Sequence, residues 1–480
     1  MSNKKVYELP KDFFVGAAVS AWQTEGWSGK KDGQDSYMDL WYKSTPELWH
    51  DGYGPTIATD FYNRYKEDVQ LMKKVGLQSF RTSIDWSRFI INYETVEVNE
   101  EAAQYYDNLI DELIANGIEP MICLEHYELP AQLFLNHGGW GSKHVVELYV
   151  KYAEEVFKRY SHKVKKWFTF NEPIVVQTRI FLDSIRYPFK QDTQTAMQWN
   201  YNKILATAKV INVFKEGGYN KDGGKIGVIL NPDVCYPRSS AKHDVEAADK
   251  FDLFFNRIFL DPSIKGEVPA ELISILKEHN CCFEYTEEEL EIIKNNTIDV
   301  LGVNIYAPTR VKARNEAWNP NVPFHPSYFF DKHELQGRKM NPFRGWEIYP
   351  KVMYDFAIRM KEEYGNIEWF IAENGMGVEN EYKYKNQEGV IQDDYRIEFI
   401  SDHLRWLLKG IEEGSNCTGY MLWAFTDNVS PQNAFKNRYG LVEINLEDNR
   451  NRKIKKSGEW YKKLSEERKF EFDDFNFEYK

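Results

Sequence analysis

Cysteine is scarce in this sequence, and long apolar runs are absent. The five cysteines among 480 residues include no CxxC pair and no metal-ligand spacing with histidine, so we expect reduced thiols and no disulfide framework. No stretch approaches the roughly 18 apolar residues that a membrane helix needs. The first residues, Met1–Glu8, carry lysines without an apolar segment behind them, so no secretory signal is expected. These absences predict a cytoplasmic protein without a membrane span.

An excess of positive charge is also missing. The chain has 74 acidic and 61 basic residues, which gives a net charge of −13 with neutral histidines. Such a field repels polyanions and argues against nucleic acid or an anionic membrane surface as a partner. A small anionic substrate would need a local group of cationic side chains that works against the overall field.

Short apolar, β-rich segments alternate with amphipathic helical patterns along the chain. Each segment has the length of a strand that is buried on both faces, as parallel sheets require. The predicted strands are Val15–Ala21, Ser79–Trp86, Glu119–His126, Lys166–Pro173, Lys225–Asn231, Asp299–Tyr306, Glu368–Gly375 and Thr418–Phe425. Clear predicted helices are Glu100–Asn116, Ser142–Tyr160, Thr193–Glu216 and Asp394–Glu413. Eight such repeats without a flexible linker predict an α/β fold, a single (β/α)8 TIM barrel, with residues 1–480 in one domain.

Polar and ionisable residues stand near the ends of five of these strands. They are Arg81 and Asp85, Glu125 and His126, Asn171 and Glu172, Asn304 and Tyr306, and Glu373 and Asn374. The carboxyl ends of the strands form the active site in (β/α)8 enzymes, so we expect these groups to converge on one mouth of the barrel.

Two glutamates in this set, Glu172 and Glu373, close the fourth and seventh predicted strands. Two carboxyl groups across a barrel mouth suit glycoside hydrolysis, because one can protonate the leaving oxygen while the other attacks the anomeric carbon or activates water. A separation of about 5–5.5 Å predicts retention of configuration, whereas about 6.5–9.5 Å predicts inversion. The residues alone leave both outcomes open.

An ordered series of short motifs runs through the chain. It comprises Trp22-Gln23-Thr24-Glu25-Gly26, Phe80-Arg81-Thr82-Ser83, His126-Tyr127-Glu128-Leu129-Pro130, Asn171-Glu172-Pro173, Asn304-Ile305-Tyr306, Gly345-Trp346-Glu347-Ile348, Glu373-Asn374-Gly375 and Arg438-Tyr439-Gly440-Leu441. With these motifs the chain resembles the family 1 glycoside hydrolases from about Phe13 to Leu464. One motif alone would be weak, whereas the ordered set is specific.

The resemblance implies retention, with Glu172 as acid/base and Glu373 as nucleophile. It implies that Arg81 and Tyr306 hold Glu373 ionised and oriented, which agrees with the effect of a neighbouring cation and a hydrogen bond on a carboxylate. The substrate-binding residues that follow from the motifs are Gln23, His126, Asn171 and Asn304, with Trp423 as the floor of the sugar subsite. No metal and no organic cofactor is expected.

The segment after the eighth strand bears on the substrate. Plain β-glucosidases of the family usually carry Glu-Trp where this chain has Ser430-Pro431, and members acting on 6-phospho-β-glycosides have serine there, followed by a lysine and a tyrosine. Ser430 and Tyr439 are in register with that pattern, but the lysine position is Asn437, with Lys436 one residue earlier. We predict a phosphate pocket of Ser430, Lys436 and Tyr439, although on a regular strand Lys436 would point to the opposite face.

The expected reaction is therefore hydrolysis of a 6-phospho-β-glucoside, a small-molecule substrate. A plain β-glucosidase with an altered subsite and a 6-phospho-β-galactosidase remain alternatives. A non-catalytic sugar-binding barrel is disfavoured because both carboxylates are kept, and a metal-dependent hydrolase because His126 is the one histidine that ends a predicted strand. The loop Ala307–Arg344 is expected to contact the aglycone. The sequence leaves a homodimer open, and it leaves open whether the tail Phe470–Lys480 packs or makes oligomer contacts.

Overall fold

A closed barrel of eight parallel strands forms the centre of the molecule in the computed structural model, which describes residues 4–319 and 321–473. The strands are β1 Phe14–Ala18, β2 Ser79–Ser83, β3 Glu119–Cys123, β4 Lys166–Asn171, β5 Lys225–Leu230, β6 Val300–Asn304, β7 Trp369–Asn374 and β8 Cys417–Trp423. Each strand pairs with its sequence neighbours, and β8 closes the barrel on β1 through Gly419–Trp423 beside Phe14–Ala18. The predicted (β/α)8 TIM barrel is confirmed.

Helices surround the barrel. The longer ones are Phe61–Lys74, Glu100–Ala115, Lys143–Tyr160, Thr193–Glu216, Lys242–Asp252, Ala270–Glu278, Glu287–Asn295, Val352–Glu363, Asp394–Glu412 and Lys456–Glu467. Lys143–Tyr160 illustrates why they pack: Val145, Tyr149, Tyr152 and Val156 recur at helical spacing and are fully buried on one face. No helix among the described residues is long and apolar enough to cross a membrane.

All eight predicted strands exist, and each of them ends earlier than expected. The predicted strand Ser79–Trp86 stops at Ser83, because Asp85 begins a short helix, Trp86–Phe89, and its carboxylate accepts from the Ser87 amide at 3.0 Å. The residues at the barrel mouth leave the strand ladder to take up such local turns. Apolar content alone does not distinguish these turn residues from the strand that precedes them.

The segment after β6 is more structured than a loop. Thr309–Lys312 pairs with Cys235–Pro237 and with Asp331–Lys332 in a small sheet, and Met340–Asn341 pairs with Trp346–Glu347 in a hairpin. Arg310 donates three hydrogen bonds to Glu347, of 2.7, 3.0 and 3.3 Å, so the small sheet and the hairpin are tied together. The hairpin brings Arg344 and Trp346 to the barrel mouth beside Tyr306, whose ring lies 5.2 Å from that of Trp346.

The two ends of the described chain form one more sheet. Lys4–Glu8 pairs in antiparallel orientation with Lys469–Asp473, and Tyr7 stacks on Phe470 with ring centroids 5.4 Å apart. The first residues of the tail therefore pack against the N-terminal strand. The rest of the tail, residues 474–480, lies outside the described residues.

Candidate active site

Glu373 ends β7 and is held by two neighbouring side chains. Its Oε1 accepts a hydrogen bond from the Arg81 guanidinium on β2, and its Oε2 accepts from the Tyr306 hydroxyl at 2.6 Å. Arg81 is fully buried and Glu373 is 4% exposed. A buried cation and a phenol that both donate to one carboxylate pair with its two oxygens and fix its orientation.

Glu172 follows directly on β4 and has neutral neighbours. The Asn304 amide donates to Oε1 at 2.9 Å, and the Tyr127 hydroxyl donates to Oε2. Burial and the negative charge of Glu373 raise the pKa of Glu172 to about 7. The two carboxyl groups of the mouth thus have opposite surroundings: one is paired with a cation, and the other is kept protonated close to neutral pH.

The backbone turns sharply at Glu172. Its φ is 46°, in the left-handed region that a residue without glycine's freedom rarely adopts, and the next residue is Pro173. The Glu172 amide donates to the Ile229 carbonyl at 2.8 Å, which ties this turn to β5. Tyr127, which donates to Glu172, also has a positive φ, of 75°. Such conformations cost of order 1–3 kcal/mol each and tend to occur where a side chain must be aimed at a site.

A row of polar side chains in contact links the two carboxyl groups. Arg81 Nη1 lies 3.0 Å from His126 Nδ1, His126 Nε2 lies 3.0 Å from the Asn171 amide, and Asn304 donates to Asn171 at 3.1 Å. Burial and the Arg81 cation hold the pKa of His126 well below its usual range, so the imidazole is neutral. Because Arg81 can only donate, Nδ1 of His126 accepts and the ring proton lies on Nε2. Nε2 and the neighbouring Asn171 Nδ2 are then both donors, so these two atoms are in contact without a hydrogen bond between them.

Gln23 and Trp423 border this row. The Gln23 amide donates to the Val429 carbonyl at 3.0 Å and accepts from Ser20 at 2.7 Å, which fixes it against the segment after β8. Trp423 is the last residue of β8. The centroid of its ring lies 6.2 Å from that of Tyr306 and 4.3 Å from that of Tyr439. Its buried indole N–H has no hydrogen-bond partner among residues 4–319 and 321–473. Trp423 therefore lies between Tyr306, which donates to Glu373, and Tyr439.

The segment after β8 separates the residues of the predicted phosphate pocket. Ser430 and Tyr439 are buried, whereas the Lys436 side chain is 42% exposed and lies 3.3 Å from Glu379. Lys436 lines a surface cavity of about 650 Å³ whose lining residues include neither Ser430 nor Tyr439. Lys436 directly precedes the short strand Asn437–Arg438, which pairs with Val378–Glu379, and its ammonium lies beside Glu379 of that pair. The structure does not bring Lys436 to Ser430 and Tyr439.

A buried ion cluster anchors the outer side of this segment. Lys455 contacts Asp427 at 2.8 Å and also pairs with Glu381, and Arg396 pairs with Glu381 and with Asp393. All five side chains are almost fully buried. Asp427 in turn accepts from the Gly440 amide at 2.9 Å, so the two ends of the segment are tied to one charged group.

Two strand-end groups that were expected at the mouth serve elsewhere. Asp85 forms a buried ion pair with Lys30 at 2.8 Å, and Glu125 lies beside Lys203, whose pKa burial lowers to about 8. Among the described residues one group of three side chains could hold a metal ion, and it consists of the exposed Glu94, His137 and His144. None of these three residues belongs to the row of polar side chains around Glu172 and Glu373.

Two residues of the mouth were missed in the sequence. Tyr127 donates to Glu172, and Glu128 accepts from Ser83 at 2.6 Å and from the His126 amide, so that it orients the His126 backbone. Both follow His126 directly in the third motif, and that position was the available signal. Asn304, predicted to bind substrate, contacts Glu172 itself.

Comparisons with known proteins agree with this geometry. The family model described as glycosyl hydrolase family 1 matches residues 5–470. The chain is 49% identical over 466 residues to the 6-phospho-beta-glucosidase GmuD of Bacillus subtilis, covering 97% of this chain and 99% of that protein. It is 33% identical to a 6-phospho-beta-galactosidase of Clostridium acetobutylicum, over 97% of this chain and 99% of the relative. A solved family 1 β-glucosidase from Thermotoga maritima superposes with a TM-score of 0.87 at 29% identity, covering 98% of this chain and 100% of the other.

Proposed function

Because the chain belongs to glycosyl hydrolase family 1, we propose that it hydrolyses 6-phospho-β-D-glucosides by double displacement, with retention, to glucose 6-phosphate and an aglycone. The observation that carries the reaction is the contrast between the two carboxyl groups. Glu373 is paired with Arg81, whereas the pKa of Glu172 is raised to about 7 by burial and by the charge of Glu373. A carboxylate and a carboxylic acid on one mouth are what the first step requires.

In the first step Glu373 attacks the anomeric carbon while Glu172 gives its proton to the glycosidic oxygen. The bond between the sugar and the aglycone breaks, and a glycosyl ester forms on Glu373. The Tyr306 hydroxyl, 2.6 Å from Oε2 of Glu373, orients that carboxylate for attack. The neutral His126 and Asn171 are then positioned to donate to sugar hydroxyls, where hydrogen bonds strengthen in the transition state.

In the second step the roles of Glu172 reverse. Formation of the ester consumes the negative charge of Glu373, which was one of the two causes that raised the pKa of Glu172. The pKa of Glu172 therefore falls, and as a carboxylate it can accept a proton from the attacking water. Hydrolysis of the ester returns Glu373 to its ionised form and Glu172 to its protonated form.

A phosphate on the sugar is favoured by the segment after β8. Ser430 occupies the place of the glutamate that plain β-glucosidases use for neutral hydroxyls, so no carboxylate at that position repels an anion. The 49% identity to a 6-phospho-beta-glucosidase, against 33% to a 6-phospho-beta-galactosidase, supports the gluco configuration.

We expect a strong preference for phosphorylated substrates. With purified enzyme, kcat/KM for p-nitrophenyl β-glucoside 6-phosphate should exceed that for p-nitrophenyl β-glucoside by at least about 100-fold, the equivalent of two or more net hydrogen bonds to the phosphate. The galacto-configured 6-phosphate, which differs at the 4-hydroxyl, should be turned over more slowly. A preference for the uncharged glucoside would replace this proposal by a plain β-glucosidase.

The pH profile should carry the signature of Glu172. Because its protonated form is needed in the first step, kcat/KM should fall above about pH 7. The Tyr127 hydrogen bond holds the pKa of Glu172 down, so Tyr127→Phe should move the alkaline limb to higher pH. Comparing both enzymes on one substrate cancels the titration of the substrate phosphate, whose pKa is near 6. A limb that stays in place, or moves to lower pH, would contradict the assignment of Glu172 as the acid.

A further inference from the structure

The side chains of residues 436–439 alternate between two faces. Lys436 and Arg438 both line the surface cavity that also contains Glu379 and Asp427. Asn437 and Tyr439 face the other way and are 2% and 1% exposed. The pairing of Val378–Glu379 with Asn437–Arg438 fixes the opposite faces of Asn437 and Arg438, because a residue in a paired strand cannot turn its side chain to the other face without breaking the pairing. Lys436 and Tyr439 flank this strand.

The buried face carries a polar atom without a partner. Asn437 Nδ2 has no hydrogen-bond partner among the residues that the structure describes, and the Tyr439 hydroxyl has the Arg344 side chain as its neighbouring polar group. Leaving a buried donor unpaired costs about 1–3 kcal/mol, so such groups usually have a partner when the protein works. The ring of Tyr439 lies 4.3 Å from that of Trp423, which places Tyr439 beside the predicted sugar subsite, and Asn437 precedes Tyr439 by two residues.

Arg344 reaches the same place from the hairpin after β6. Asn341 of this hairpin donates to the Gly377 carbonyl at 3.0 Å, and Gly377 lies so close to Tyr439 that a Cβ there would be 2.6 Å from the hydroxyl oxygen. The Arg344 guanidinium stacks on Trp346 at 4.5 Å. Burial raises the pKa of Tyr439 to about 12, and the neighbouring Arg344 cation opposes that rise. Arg344 Nε is itself buried and unpartnered within the described part of the chain.

We propose that Arg344, Asn437 and Tyr439 bind the 6-phosphate, with Arg344 supplying the positive charge that Lys436 does not bring. This inference rests on the proposed function and adds to it the residues that select the phosphorylated sugar. Arg344 suits the task because its planar guanidinium donates to two phosphate oxygens at once. Lys436 is already paired with Glu379, and its side chain lies on the opposite face.

Substitution of Arg344 and of Lys436 compares the contributions of these two cations to binding of the phosphorylated substrate. We expect Arg344→Gln to lower kcat/KM for p-nitrophenyl β-glucoside 6-phosphate by about 10- to 100-fold, the effect of losing a charge-assisted hydrogen bond. The same variant should change kcat/KM for the unphosphorylated glucoside less than about threefold, which also shows that it is folded. Lys436→Gln is the matched control and should change both values less than about threefold. Asn437→Ala should raise KM for the phosphorylated substrate only.

The outcomes separate this inference from the proposed function. A wild-type enzyme without preference for the phosphorylated substrate would contradict the proposed function, and with it the inference. A wild-type enzyme with the preference, combined with an Arg344→Gln variant that keeps it, would overturn the inference alone. A loss of preference in Lys436→Gln equal to that in Arg344→Gln would also overturn it, because the charge would then come from the other face. Inhibition by glucose 6-phosphate should weaken in Arg344→Gln in parallel.

Discussion

Replacing Glu373 by alanine should abolish turnover, with kcat lower by about 10⁴-fold or more. The substitution removes the group that attacks the anomeric carbon and leaves the buried Arg81 cation without its carboxylate. The rate is measured with p-nitrophenyl β-glucoside 6-phosphate. Glu443→Ala is a suitable control, because Glu443 pairs with Lys385 at 2.7 Å on the surface cavity away from the mouth, and it should leave kcat unchanged.

Added azide distinguishes a nucleophile from a structural carboxylate. The space vacated in Glu373→Ala lies on the face of the sugar that Glu373 attacks, so azide entering there should give the α-glycosyl azide in a single displacement. Product configuration is read by NMR spectroscopy. A variant that retains wild-type turnover, or one that azide rescues with the β product, would show that another group is the nucleophile.

Replacing Glu172 by alanine should have an effect that depends on the leaving group. Without the proton donor, substrates with poor leaving groups should lose about 10³-fold or more in kcat/KM, the upper part of the range for general acid catalysis. A dinitrophenyl glucoside 6-phosphate needs little protonation, so its kcat/KM should fall much less. Its kcat should still fall, because the second step lacks its base and the glycosyl ester accumulates. A uniform loss across leaving groups would argue against the acid/base role.

Azide should again report the position of the missing group. In Glu172→Ala it enters on the face of the water and should give the β-glycosyl azide, opposite in configuration to the Glu373→Ala product. We also expect this variant to unfold at no lower temperature than the wild type above pH 7. Burial raises the pKa of Glu172, so the folded state binds its proton more tightly than the unfolded state, and ionisation of Glu172 destabilises the fold as pH rises.

The barrel could be predicted because its strands are buried on both faces and read as apolar runs. The strand ends could not be placed, since residues such as Asp85 leave the ladder for turns whose hydrogen bonds are not visible in a pattern of apolar residues. Glu172 and Glu373 were identified by their motifs, and the motifs also contain Arg81 and Tyr306. The motifs could not predict the neighbours of each carboxyl group, because those contacts join strands that are far apart in sequence.

The misplacement of Lys436 has a definite physical origin. A shift of one residue reverses the face of a side chain only where the backbone is extended and paired, and the partner of Asn437 is Glu379, 58 positions earlier in the chain (437 minus 379). The sequence of the segment itself therefore allowed both orientations. Arg344 was overlooked because its neighbour Tyr439 is also distant in sequence, and the hairpin after β6 brings the two residues together.

The buried ion cluster around Asp427 and Lys455 has a consequence for the evolution of substrate specificity in this enzyme. Its charged groups pair with one another, and Asp427 also holds the Gly440 amide. These contacts fix the backbone at both ends of the segment after β8. The residues between those ends, including Ser430 and Asn437, can then be exchanged without refolding the barrel. Selectivity for the sugar becomes separable from stability, and a relative with a different substrate needs new side chains on this segment while the scaffold beneath it stays as it is.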